Sequence, residues 1–209
     1  MKNNQLIVES RETGKTTYLF NEIHKLIEEG RNVIVLDSAT DHVEKSLLKK
    51  VIGDFKNAHV IDMRDENAVV LKDLSISEFI TNFMNFFPFK DIYNNRNKVI
   101  CFDLSYFLEL GHDIFDETND MKKYKYYRNL YNMLSQQIVL TIILMGKYGM
   151  IKNSIVVMDE IEFPVIDYDV SLLQDDIKFL ASVHPENAFG SFYESFEKLD
   201  FKVFKRRKD

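Results

Sequence analysis

Residues 5–23, QLIVESRETGKTTYLFNEI, decide how this chain is read. Gln5 to Val8 is a short apolar run of strand type. From Leu19 onward Ile23, Leu26 and Ile27 recur at helical spacing, and Gly30 stands where a helix is closed. Between the two lies Gly14-Lys15-Thr16, the tail of the phosphate-loop pattern G-x-x-x-x-G-K-[ST]. Glu9 occupies the place of the first glycine, and Gly14 is the one glycine in residues 9–16. Such a loop sets backbone N–H groups at a helix start around phosphate oxygens, with a lysine for the terminal phosphates and a hydroxyl for magnesium. Lys15 and Thr16 take those places here, flanked by Thr13, Gly14 and Thr17.

Working outward, β-rich runs alternate with helical patterns almost from end to end, which predicts an α/β domain with helices on a mostly parallel sheet. RNVIVLDS (31–38), AHVIDM (58–63), KVICFDLS (98–105), NSIVVMDEIEFP (153–164) and IKFLASVHP (177–185) read as strands, and FKVFKRR (201–207) as a closing edge strand. Asp41 with Glu44, and Ser75 with Glu78, sit at capping-box spacing before helices, the second of which ends before Pro88. Residues 111–123, poor in apolar side chains, read as a loop or lid. A long helix follows from about Tyr124 to Lys147, and residues 186–198 read as an amphipathic helix. A length of 209 residues suits a single domain spanning 1–209.

Composition narrows the class. An apolar fraction of 45% with 29% charged residues is that of a globular protein. The longest apolar run, Ile138 to Met145, falls far short of the roughly 20 residues that cross a bilayer, so no membrane span is expected. Cys101 is the single cysteine, which excludes a disulfide framework and a zinc cluster, and no signal-peptide pattern opens the sequence. The expected location is the cytoplasm. A net charge of −6 argues against a surface built wholesale for nucleic acid. The basic tail 202–209 and the Tyr124, Tyr126, Tyr127, Tyr131 cluster among Lys122, Lys123, Lys125 and Arg128 leave nucleic acid open as a partner. Both also fit plain structural roles, as a solvated tail and as helix packing. His24, His42, His59 and His112 show no ligand spacing.

A second constellation lies some way downstream. Ile155-Val156-Val157-Met158 ends in Asp159-Glu160, the way a buried parallel strand delivers a carboxylate to the sheet edge where ligands bind. Asp159 is the expected magnesium holder, Glu160 the catalytic residue that polarises water, and Lys15 its partner on the phosphates. Asp37 and Asp103, also at strand tips, are candidates for the metal or its water network.

With ESRETGKT (9–16) as a Walker A variant and IVVMDE (155–160) as a Walker B, the chain resembles the P-loop NTPases, in their RecA-like branch with a catalytic glutamate. The resemblance implies a three-layer domain, ATP and Mg2+ as cofactors, and a strand after the Walker B element lying next to the phosphate-loop strand. That strand, IKFLASVHP, would carry the γ-phosphate sensor as Ser182 or His184. KVICFDLS before a long helix, MDE, and the closing ENAFGSF and LDFKVFKRR are similar to the FtsK–HerA group of DNA-translocating, packaging and conjugation ATPases. An arginine finger from a homo-oligomer or partner protein would follow, with Arg206 and Arg207 as candidates. Two other readings stay open: a nucleoside kinase resembling the thymidine kinases, though their four-cysteine zinc ribbon has no counterpart here, and a degenerate subunit whose poor loop binds nucleotide weakly or not at all.

Overall fold

The structure is a computed structural model that describes residues 4–8, 14–37, 47–62, 87, 89–93, 99–159, 177–185 and 201–205, with single positions at 78, 81 and 85. Its elements run β1 (Asn4–Val8), α1 (Lys15–Glu28), β2 (Asn32–Asp37), α2 (Leu47–Asp54), β3 (His59–Asp62), α3 (Phe89–Tyr93), β4 (Val99–Asp103), α4 (Ser105–Thr118), α5 (Met121–Lys147), β5 (Ser154–Asp159), β6 (Ile177–Val183) and β7 (Phe201–Lys205).

Seven strands form one sheet in the order β3-β4-β2-β5-β6-β1-β7, and every neighbouring pair is parallel. The continuous apolar strands foreshadow this, since a strand covered on both faces has no reason to alternate. Successive residues of a strand point to opposite faces, and the core divides accordingly. Val33, Val35, Cys101, Ile155, Val157 and Leu180 pack with Leu19 and Ile23 of α1 and Leu47 and Val51 of α2. Ile34, Leu36, Phe102, Val156, Met158 and Phe179 pack on the opposite face with Ile92 of α3, Phe107 of α4, and Leu130, Leu134, Ile138 and Ile142 of α5. The result is three layers, helices either side of a parallel sheet, as expected. The sheet edge assigned to the last strand is also as expected.

Helix α1 ends as its glycine announces. Gly30, at φ 75°, lets its own N–H reach the Ile27 carbonyl and the Arg31 N–H reach Leu26, which satisfies two carbonyls of the last turn. Asn153 then donates from Nδ2 to the Gly30 carbonyl at 3.1 Å, and Asn32 from Nδ2 to Lys152 at 3.2 Å. These bonds lock the entrances of β2 and β5 together and so set the register at their far ends.

Residues 111–123 are not a loop or lid. They are helical on both sides of a two-residue break at Asn119-Asp120, and the long helix begins at Met121 rather than near Tyr124. Two features convert this polar stretch into a helical hairpin. Gly111 lets α4 close on α5, because a Cβ there would stand 3.3 Å from Cβ of Tyr127. At the turn, Asn119 takes the left-handed conformation at φ 54°, and the Asp120 carboxylate accepts from the backbone N–H groups of Lys122 and Lys123 at 3.0 and 3.2 Å. The sequence signal was Thr-Asn-Asp: a residue that tolerates φ > 0, then a capping acid. The capping boxes at Asp41 and Ser75, the helix over 186–198 and the tail from Arg206 lie outside the described residues.

Candidate functional site

The C-terminal edge of the sheet gathers the polar residues that the strands deliver. Along four adjacent strands the parallel register aligns Asp62 with Asp103, Asp103 with Asp37, and Asp37 with Asp159, so each of β3, β4, β2 and β5 ends in aspartate at one level. Asp62 escaped the reading from sequence, although its signal, apolar residues running into an acid, is the one that singled out Asp37, Asp103 and Asp159.

Between β5 and β1 lies β6, with Ser182 in register with Ile7. The strand after Asp159 is therefore the neighbour of the first strand, as the resemblance implies. Lys178, Leu180 and Ser182 share one face of β6, and Ile155, Val157 and Asp159 one face of β5; Leu180, Ile155 and Val157 place both sets on the α1 side.

Helix α1 leads into this corner from Gly14. That residue is the N-cap, left-handed at φ 87° and ψ 17°, a conformation that costs glycine nothing and most residues about 1–2 kcal/mol. An added Cβ would meet nothing within 4 Å, so the requirement is conformational and not spatial. The Gly14 carbonyl accepts the Tyr18 N–H at 2.8 Å and closes the first turn. Gly14 offers no side chain to cap this helix start, and no acidic residue lies in its first turn. Backbone N–H groups and the positive end of the helix dipole are thus presented at the C-terminal edge of the sheet, the arrangement that favours an anion.

Three side chains then converge over a long separation in sequence. Thr16 donates from Oγ1 to Oδ2 of Asp159 at 3.0 Å. Ser182 donates from Oγ to Oδ1 of the same carboxylate at 2.5 Å. Asp159 and Ser182 are both 0% exposed. Removing a carboxylate from water is costly unless its oxygens are bonded, and here each oxygen takes a hydroxyl. Lys15, first residue of α1, is 4% exposed, so this lysine is buried at the helix start.

On the other side of the helix start, Thr17 accepts at Oγ1 from Nζ of Lys50 at 3.2 Å. Lys50 escaped the reading from sequence. Its position depends on how α2 packs, which no spacing encodes.

His184 follows β6 directly and is half-buried, whereas Ser182 is the residue brought to Asp159. Glu9, Thr13, Glu160, Arg206 and Arg207 lie outside the described residues. Among the described residues no group of three or more His, Cys, Asp or Glu side chains is arranged to hold a metal by itself, and no helix is long and apolar enough to cross a membrane. No protein-family model matches the chain, and no curated protein matches it.

Proposed function

We propose that this chain is a P-loop nucleoside-triphosphatase domain that binds ATP with magnesium and hydrolyses it by direct attack of water. The observation that carries the reading is the meeting of Thr16 and Asp159 at 3.0 Å, with Lys15 buried beside them at the start of α1. A strand, a turn through left-handed glycine, and a helix whose first residues are lysine and threonine make a phosphate cradle. A carboxylate from a second parallel strand, touching that threonine, completes it.

The donor set fits magnesium. Both groups offer hard oxygen ligands, and a site with a hydroxyl and a single carboxylate suits a cation that keeps waters and shares phosphate oxygens. Thr16 and Asp159 would hold it, and when bound it would neutralise phosphate charge. The remaining work falls to the chain's own residues. Lys15 and the N–H groups at the start of α1 bind and orient the phosphates. Ser182, bonded to Asp159, fixes the direction of that carboxylate.

Glu160 is the base in this reading. As water oxygen bonds to the γ-phosphorus, its proton passes to the Glu160 carboxylate. The bond from the γ-phosphorus to the β–γ bridging oxygen breaks, and ADP and phosphate leave. Hydrolysis of this kind would drive movement of a partner, whether a further copy of the chain, another protein or a nucleic-acid strand.

Calorimetry with MgATP tests the reading on the wild type and Lys15→Ala, together with phosphate release by the wild type and Glu160→Gln. The expected outcome is binding that Lys15→Ala abolishes, and turnover that Glu160→Gln abolishes while binding remains. Absence of binding by the wild type would overturn it and leave a phosphate-loop fold whose site is closed at Glu9.

A further inference from the structure

We propose that Lys50 is a second phosphate-binding cation of this site, placed for the α-phosphate of the nucleotide; the inference rests on the nucleotide reading above. Consecutive residues of a helix point about 100° apart. Thr16 spends its hydroxyl on Asp159, towards β5, while Thr17 turns its hydroxyl towards α2 and meets Lys50 at 3.2 Å. Lys15 and Thr16 serve the terminal phosphates and the metal. The rest of a nucleotide has to leave the helix start by another side, and the Thr17 side carries a cation.

The position of Lys50 is built into the packing. Leu47 and Val51 flank it on α2, and both are buried in the layer that holds Leu19 and Ile23 of α1. Further along, His24 of α1 meets Asp54 of α2 with Nε2 to Oδ2 at 2.7 Å, and the His24 ring lies between Phe20 and Phe55, with centroids 4.7 and 4.5 Å away. These contacts fasten α2 to α1, so the Lys50 stem starts from a fixed helix. An ammonium carries three donors, and the Thr17 hydroxyl takes one.

The loop explains the need for such a cation. Where the motif opens on a glycine, residues 9–13 read Glu-Ser-Arg-Glu-Thr, two acids against one base. A polyphosphate held there gains less from the loop's charge than its pattern promises. A lysine supplied from α2 offsets that deficit without any change in the Gly-Lys-Thr element.

The experiment is a calorimetric series of MgATP, MgADP and magnesium pyrophosphate against the wild type, Lys15→Ala, Lys50→Ala and Lys50→Arg. Pyrophosphate reports the Lys15 end of the cradle, and the two nucleotides add the α-phosphate. Lys50→Ala is expected to weaken MgATP and MgADP about tenfold, the scale of one partly exposed charge-assisted bond, with pyrophosphate within about twofold of wild type. Lys50→Arg, which keeps the charge, should recover most of the loss, and Lys15→Ala should weaken all three ligands.

MgATP binding unchanged in Lys50→Ala but abolished in Lys15→Ala would overturn the role of Lys50 and leave the nucleotide reading intact. Equal loss for pyrophosphate and ATP in Lys50→Ala would also overturn it, because Lys50 would then only steady α1. A wild type that binds none of the ligands would overturn the nucleotide reading and the role of Lys50 with it.

Discussion

Ser182→Ala removes one hydroxyl from the interior and tests how the Asp159 carboxylate is kept in place. The hydroxyl is wholly buried and its bond to Oδ1 is short, 2.5 Å, as expected for an O–H donor on an ionised acceptor. A bond to a charged group contributes about 1.5–3 kcal/mol, and its loss leaves a buried carboxylate oxygen that water does not replace easily. Taking about 2 kcal/mol, and about 2–4 °C per kcal/mol for a chain of this size, Tm should fall by about 4–8 °C. The assay is thermal unfolding followed by far-UV circular dichroism, on the single mutants and on a double-mutant cycle with Asp159→Asn. With a neutral amide at 159 the bond is ordinary and contributes about 1 kcal/mol, so the Ser182→Ala shift should shrink to about half. A shift below about 1 °C in the wild-type background, or an equal shift in both backgrounds, would refute the reasoning. In that case Ser182 fills space beside Asp159 and does not orient it.

Three further outcomes follow from other contacts. Gly146→Ala would put a Cβ 2.0 Å from Cδ1 and 2.8 Å from Cγ1 of buried Ile177, so it should cost about 1–3 kcal/mol in urea unfolding, with partial recovery in a Gly146→Ala, Ile177→Val double mutant that removes the nearer atom. Asp120→Ala strips the cap from α5 and should lower stability by about 1 kcal/mol, seen as a shift of about 2–4 °C in Tm. Thr16→Val keeps the shape and loses the hydroxyl that meets Asp159. Calorimetry with and without magnesium should find the magnesium-dependent part of ATP affinity lost and the rest retained, and loss of both alike would point to a disturbed helix start instead.

Much of the fold was legible because its signals are local. Apolar runs such as Ile155 to Met158 announce buried parallel strands, and Gly30 announces a helix end. Asp159 was legible as the acid at a strand tip for the same reason, since it terminates such a run. The hairpin of α4 and α5 was misread because its polar residues face solvent and its decisive groups are single positions, Gly111 for close approach, Asn119 for the turn and Asp120 for the cap. Lys50 was invisible because its contact with Thr17 depends on the packing of α2 against α1, between segments that share no periodic pattern.

Ser182 shows where pattern reading and geometry part company. Strands in a sheet lie about 4.8 Å apart, so with β6 between them β1 and β5 are separated by roughly 10 Å. Helix α1 follows β1 in the chain, yet Thr16 cannot touch a carboxylate on β5 unless the start of the helix stands beyond β6. The 3.0 Å bond from Thr16 to Asp159 shows that it does, and α1 accordingly packs over β5 and β2. Ser182, one residue before the end of β6, is wholly buried and stands beside the Asp159 carboxylate. An apolar side chain there would leave Oδ1 buried without the Ser182 hydroxyl, and a charged one would have to be neutralised away from water. A small hydroxyl satisfies both demands. That Ser182 and not His184 stands against Asp159 could be read only once β6 was placed between β5 and β1 and its register known.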